Sequence, residues 1–430
     1  MGIAIPLILI VFTCLLIWRA CDSFEIASEY IGRNLSEGVR GGTINAISSS
    51  VPELFTTLIA LFVLADRNGF AIGIGTTAGS ALFNGMVIPA ASILSVIGFV
   101  VAGVRVTSVN VSTKVLLRDG LSLIFCEAIL ILLINGERLD WWQGLILIAM
   151  YGGYLSFMLL SMKTLEEEAV ASGELPMAEE VNEKDSRATG WASSLVYWLS
   201  LGPLMDLERF FIGEREQRQI EQERWNGWPL LLTSTAIIAA ACWLLVLACE
   251  WLGTGTDEEP FYQLLGYQFS GLGMPATFVA VIFASMATSV PDTVMSIRDA
   301  RDGDYDDAVA NALGSNVFDI CFALGLPLFL YTMFHGPIQM SPQVAQQSGE
   351  LRLMLLSFTI VGFLVYFLGR RHTLANGTRV VEMKRGKAAL LLTMYGLFVL
   401  YIIGLSVQNP VAIQISNGLQ QILVWLPEFS

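Results

Sequence analysis

The chain is 430 residues long, 54% apolar and only 14% charged, with a mean hydropathy of +0.62. Charge near 25% is usual in soluble domains, so this composition excludes an ordinary aqueous globular fold and points to a polytopic membrane protein. The net charge of −14 does not call for a basic partner: residues 163–228 hold 14 Asp or Glu against 7 Lys or Arg, half of the acidic excess.

Apolar runs of the length needed to cross a ~30 Å hydrocarbon core, about 20 residues each, predict ten transmembrane helices. They lie near 3–20, 38–64, 71–102, 120–135, 142–162, 229–252, 272–298, 306–334, 353–369 and 388–407. The first lacks a basic leader and a small-residue cleavage site, so it reads as an uncleaved span. The apolar tail 411–426 is short and reads as an interfacial helix. Six cysteines sit in or beside apolar runs with neither disulfide nor metal-ligand spacing, and read as small hydrophobes.

The expected organisation is a first transmembrane repeat at 1–162, an acidic loop at 163–228 and a second repeat at 229–430. Placing that loop in the cytoplasm puts 21 of the 24 Lys and Arg on the same side, as the positive-inside rule requires. Both termini then face away from the cytoplasm, across a plasma or inner membrane. Trp141, Trp142, Trp228 and Trp251 fall at predicted interfaces. The expected partners are lipid and inorganic cations. No basic, aromatic surface is laid out for nucleic acid, and nothing here fixes an oligomeric state.

Two motifs occur twice. SSVPELFTTLIA at 49–60 matches TSVPDTVMSIRDA at 288–300, and AGSALFN at 78–84 matches LGSNVFD at 313–319. The copies fall within 45–84 and 285–319, on spans two and three and on spans seven and eight. An odd number of spans separates them, so they are expected in opposite orientations. Inverted repeats with interrupted helices are the pattern of alternating-access transporters.

Each residue type has a physical task. Pro52 and Pro291 remove a helical donor, which frees the carbonyls of Ser48 and Ala287. Glu53 and Asp292 stand beside them, where a mid-membrane carboxylate costs at least ~2.5 kcal/mol. Ser49, Ser50, Thr288 and Ser289 add hydroxyls. Ser80 with Asn84, and Ser315 with Asp319, add oxygens one turn apart on one face, and Gly79 and Gly314 are expected to let helices approach closely. Glu127 can equally pair within the bundle, and Asn316 can bond helix to helix. This inventory of hard oxygens suits calcium and sodium and excludes zinc or copper. Glu53, Asp292 and Asp319 together can carry −3, which one calcium plus one monovalent cation balances.

These paired motifs closely resemble the alpha repeats of the sodium/calcium exchanger superfamily, in which a hydroxyl-rich stretch precedes Pro-Glu or Pro-Asp and GSN precedes Asn or Asp. SVPDTVMS with GSNVFDI resembles the potassium-dependent branch. The resemblance implies Glu53, Asn84, Asp292 and Asp319 as calcium ligands, and Ser49, Ser50, Ser80, Thr288, Ser289 and Ser315 as positions that help hold sodium. The first copy departs from the pattern with GSALFN. The implied activity is sodium/calcium antiport, with potassium co-transport tied to Asp319 and no cofactor. A calcium/proton antiporter on the same scaffold is the alternative. An intramembrane enzyme would need a metal or nucleophile set, and the chain has no HExxH and only His335 and His372.

Overall fold

The computed structural model describes residues 2–31, 46–64, 69–101, 104–172, 197–198, 201–222, 224–257, 259–374 and 377–427. The first half contains α1 (Ala4–Ile31), α2 (Ala46–Ile59) ending in a π turn at Ala60–Leu64, α3 (Gly69–Val96), α4 (Thr113–Leu133) and α5 (Trp141–Ser172). Three short helices follow: α6 (Gly202–Met205), α7 (Leu207–Phe211) and α8 (Glu214–Glu221). The second half opens with α9 (Trp228–Gly253). A broken rod then runs through α10 (Ala276–Val279), a π turn at Ala280–Ala284, α11 (Ser285–Thr288) and α12 (Val290–Asp302). Next come α13 (Tyr305–Phe318), a π turn at Asp319–Ala323 and α14 (Gly325–His335). The chain closes with α15 (Pro342–Phe367), α16 (Arg385–Ser406) and α17 (Pro410–Leu423).

Among the described residues, seven helical segments are long and apolar enough to cross a membrane, or eight with the rod that bends by 43° between Thr288 and Val290. Ile47–Val63 is apolar but shorter. α4 has the length but carries Lys114, Arg118, Asp119 and Glu127.

The expectation of an all-helical chain needs amendment at the connections. Val109–Ser112 pairs antiparallel with Arg379–Met383, which also pairs with Arg371–Thr373, and Arg138–Leu139 pairs with Ile338–Gln339. Such ladders satisfy backbone groups where helices end, at little cost in chain length.

Two helix starts also move outward. α4 begins at 113, not 120, because Ser112 accepts from the Lys114 amide at 3.2 Å as an N-cap. α15 begins at Pro342, not 353. Ser341 caps it at 3.3 Å to the Val344 amide, and its charged residues find partners inside. Arg352, expected in a connection, is 2% exposed and donates to the carbonyls of Ser348 and Ile134. Glu350 accepts from Ser416 at 2.8 Å and from Gln420, both on α17. The tail helix is therefore pinned to the bundle by a buried carboxylate.

α3 is the hub. In its most apolar window 72% of residues are buried, against 28–39% for α1, α5, α9, α15 and α16. It packs against both halves of the broken rod and against α13, α15 and α16. α1 lies along α9. Part of the acidic loop docks on this pair: Trp225 packs edge-on to Tyr30 with ring centroids 4.9 Å apart, and its amide donates to the Tyr30 hydroxyl at 2.8 Å. Residues 173–196 of the loop, and the connection at 65–68, lie outside the described residues.

Candidate cation site

The two motif copies meet at the centre of the bundle. Every one of the ten predicted ligands is buried, at 1% exposure or less. α2 presents Ser49, Ser50 and Glu53, and α3 presents Ser80 and Asn84. Thr288 closes α11, Ser289 lies at the break, and Asp292 stands in the first turn of α12. Ser315 lies on α13, and Asp319 opens the π turn that follows. Chain breaks and π turns liberate backbone groups and redirect side chains, and this site has both.

The two prolines act differently. Pro291 coincides with the break between α11 and α12, whereas Pro52 sits inside α2 without interrupting it. The small residues differ as well. A Cβ on Gly79 would stand 2.2 Å from the Val281 carbonyl, so α3 and the broken rod touch backbone to backbone there. Gly314 meets only the Tyr154 hydroxyl, at 3.4 Å, and so does not serve the tight helix approach expected of it.

Ser80 links both copies. Its Oγ lies 2.8 Å from Asp319 Oδ2, 2.9 Å from Ser289 Oγ and 3.2 Å from Glu53 Oε1. A serine hydroxyl has one proton, so it cannot donate to Glu53 and Asp319 at once. Asn84 Nδ2 faces Asp292 Oδ2 at 3.1 Å, Ser315 Oγ at 3.2 Å and Ser80 Oγ at 3.3 Å. A carboxylate facing the amide fixes nitrogen on that side and leaves Asn84 Oδ1 without a donor. Glu53 Oε2, Asp292 Oδ1, Asp319 Oδ1, Asn84 Oδ1 and Ser50 Oγ are all buried without a hydrogen-bond partner. Buried acceptors short of donors are costly, and cations satisfy acceptors without bringing protons.

Among the described residues, no three Asp, Glu, His or Cys side chains converge closely enough to hold a metal by themselves. The carboxylates are separated by Ser80 and Asn84. The expected −3 is thus spread around the site, which suits neighbouring cation positions better than one three-carboxylate cage.

Two residues outside the ten resolve clearly. Asn316 donates to the Ala81 carbonyl at 2.9 Å, a bond between helices. Glu127 accepts from Thr359 on α15 at 2.8 Å, a bond between helices. Sequence reasoning missed Asp119, which is fully buried. Arg118 holds it at 2.7 and 2.8 Å, and Tyr154 at 3.2 Å. An adjacent Arg-Asp pair at the edge of an apolar run was the available signal.

The family model described as sodium/calcium exchanger protein matches residues 5–160 and 227–404. The chain belongs to the sodium/calcium exchanger family. Within it, the chain is 25% identical to mouse sodium/potassium/calcium exchanger 4, covering 80% of this chain and 74% of that protein. It is 26% identical to human sodium/potassium/calcium exchanger 5 over 77% and 71% of the two chains. The crystal structure of the H+/Ca2+ exchanger CAX aligns with 97% of this chain and 92% of its own at a TM-score of 0.58. At 10% identity that likeness speaks for the fold alone.

Proposed function

We propose that this family member is a secondary active antiporter that exchanges sodium for calcium by alternating access, with potassium carried alongside calcium. One observation carries the reading. The Ser80 and Asn84 polar groups join carboxylates from both motif copies, and the same site holds five buried oxygens lacking partners. Such a site trades hydrogen bonds for bound cations. The named sodium/potassium/calcium exchangers among its relatives support the ion set.

In this reading α1 to α5, α9, the α10–α12 rod, the α13–α14 rod, α15 and α16 are ten spans forming two inverted five-helix repeats. The segment 163–228 faces the cytoplasm and the termini face the opposite side. Glu53, Asn84, Asp292 and Asp319 ligate calcium. The hydroxyls of Ser49, Ser50, Ser80, Thr288, Ser289 and Ser315 help hold sodium once calcium has left. No cofactor takes part: the ions are substrates. Each ion set neutralises the site in turn, and a neutralised site is the one that crosses a low-dielectric barrier most readily.

Calcium uptake into proteoliposomes under an imposed sodium gradient tests this directly. Sodium-loaded vesicles diluted into sodium-free medium that contains potassium accumulate calcium if the reading holds. Uptake that ignores sodium and follows a pH gradient replaces it with calcium/proton exchange.

A further inference from the structure

One helical turn beyond the site, towards the end of α12 that carries Asp299 and Asp302, stands a second set of oxygens. Ser296 follows Asp292 by four residues on α12, and Asn311 precedes Ser315 by four on α13. Each therefore lies on the helix face that already looks into the site. Asn311 Nδ2 donates to Ser296 Oγ at 3.1 Å and reaches the Asp292 carbonyl at 3.5 Å. Ser92 on α3 closes the third side: its hydroxyl lies 3.2 Å from the Ser296 carbonyl and 3.0 Å from the Ile88 carbonyl of its own helix, and shares one proton between them. Only the amide nitrogen can donate to a carbonyl, so the remaining Asn311 atom is its oxygen. That oxygen is buried and has no hydrogen-bond partner. Ser296 itself is fully buried.

The column continues outward. Asp299 follows Asp292 by seven residues and Asp307 precedes Asn311 by four, so carboxylates stand on the same faces nearer the helix ends. The first copy lacks this column. By motif alignment Ser296 and Asn311 correspond to Thr57 and Thr76, whose hydroxyls donate to their own helices' carbonyls, Glu53 and Ile72, at 2.9 Å each. Asp299 and Asp307 correspond there to Ala60 and Ile72, both buried and apolar. Among the described residues, the two carboxylates of the column have no counterpart in the first copy.

We infer that Asn311 Oδ1 and Ser296 Oγ form a second cation subsite between the central site and the aqueous face at the Asp299–Asp307 turn. Its occupant is a monovalent cation, sodium. Its two side-chain ligands are neutral oxygens, whereas calcium sites draw on carboxylates. Sodium halts there partly dehydrated on its way between the central ligands and the carboxylates of the turn. The subsite rests on the antiport reading and adds a sidedness that the reading does not require.

Sodium half-saturation of calcium exchange, measured separately at each membrane face in right-side-out and everted vesicles, tests it. Asn311→Leu raises the value about tenfold at the face bearing the Asp299–Asp307 turn, the scale of one lost charge-assisted contact, and leaves the opposite face unchanged. Asn311→Asp lowers it at that same face. Ser296→Ala is small enough to fold whatever the bulkier Asn311→Leu change does to packing, and it reproduces the one-sided rise. Equal shifts at both faces, or none in either variant, overturn the subsite while leaving the antiport reading intact. A wild type whose calcium flux ignores sodium overturns the antiport reading, and the sodium subsite with it.

Discussion

Ser80 and Asp319 are 239 residues apart in the chain, yet their side-chain oxygens lie 2.8 Å apart. The contact joins the first copy of the repeated motif to the second. The two halves of the chain therefore share one site rather than carrying one each. Because the same hydroxyl also lies 3.2 Å from Glu53, whichever ion or proton neutralises one carboxylate changes what Ser80 can offer the other.

Ser80→Ala tests this coupling. The substitution removes a hydroxyl that two carboxylates share, and hydrogen bonds to charged groups are worth about 1.5–3 kcal/mol. Calcium half-saturation should rise by roughly 10- to 100-fold, and sodium half-saturation should rise with it. Transport assays in proteoliposomes read both. A change confined to one ion would mean that Ser80 serves a single position.

Glu53→Gln and Asp292→Asn should each reduce calcium exchange to background while the protein still folds. Each keeps the shape of the side chain but removes the charge that a dehydrated divalent ion needs. Both carboxylates are fully buried, so neutral replacements also relieve a desolvation cost. Thermal unfolding in detergent, without calcium, should occur at the same temperature or higher. Near-normal exchange in both variants would remove these residues from the site.

The paired glycines should separate sharply. Ala at Gly79 drives a methyl into the Val281 carbonyl and Ser285. Overpacking of this kind costs about 1–3 kcal/mol, and rigid backbone places it at the upper end. Ala at Gly314 meets only an ordinary contact with Tyr154 and should gain up to about 1 kcal/mol of helix propensity. Thermal stability of the two variants in detergent reads the difference.

That contrast also marks what sequence can and cannot reveal. Glu53, Asn84, Asp292 and Asp319 are legible because a carboxylate or amide inside an apolar run is costly, and two matched copies make accident a poor explanation. The long helices are legible from hydropathy, except at their ends. Lys114 and Arg352 look like connection residues until Ser112 caps one helix and the Ile134 carbonyl, 218 residues away, receives the other's guanidinium. The π turns at Ala280–Ala284 and Asp319–Ala323 leave no mark in periodicity. Both pack against α3. Likewise GSN and GSA predict two equivalent glycines, although only Gly79 bears a backbone contact.

Potassium dependence turns on Asp319. The matching position in the first copy is the neutral Asn84, so this residue raises the site's potential charge from −2 to −3. Calcium alone cannot balance that in a buried, low-dielectric setting. Asp319 Oδ1 is buried without a hydrogen-bond partner, and Oδ2 shares the single Ser80 proton with Glu53. A monovalent cation beside Asp319 would restore neutrality without displacing the calcium ligands. Wild-type calcium exchange should therefore require potassium in the medium that supplies calcium. Asp319→Asn should exchange calcium with no potassium requirement, because the amide removes the third charge and keeps its shape. Flux measured across a potassium series, with sodium gradient and pH held fixed, gives the comparison. If the wild type is indifferent to potassium and releases protons as calcium binds, Asp319 titrates with transport instead and potassium is not a substrate.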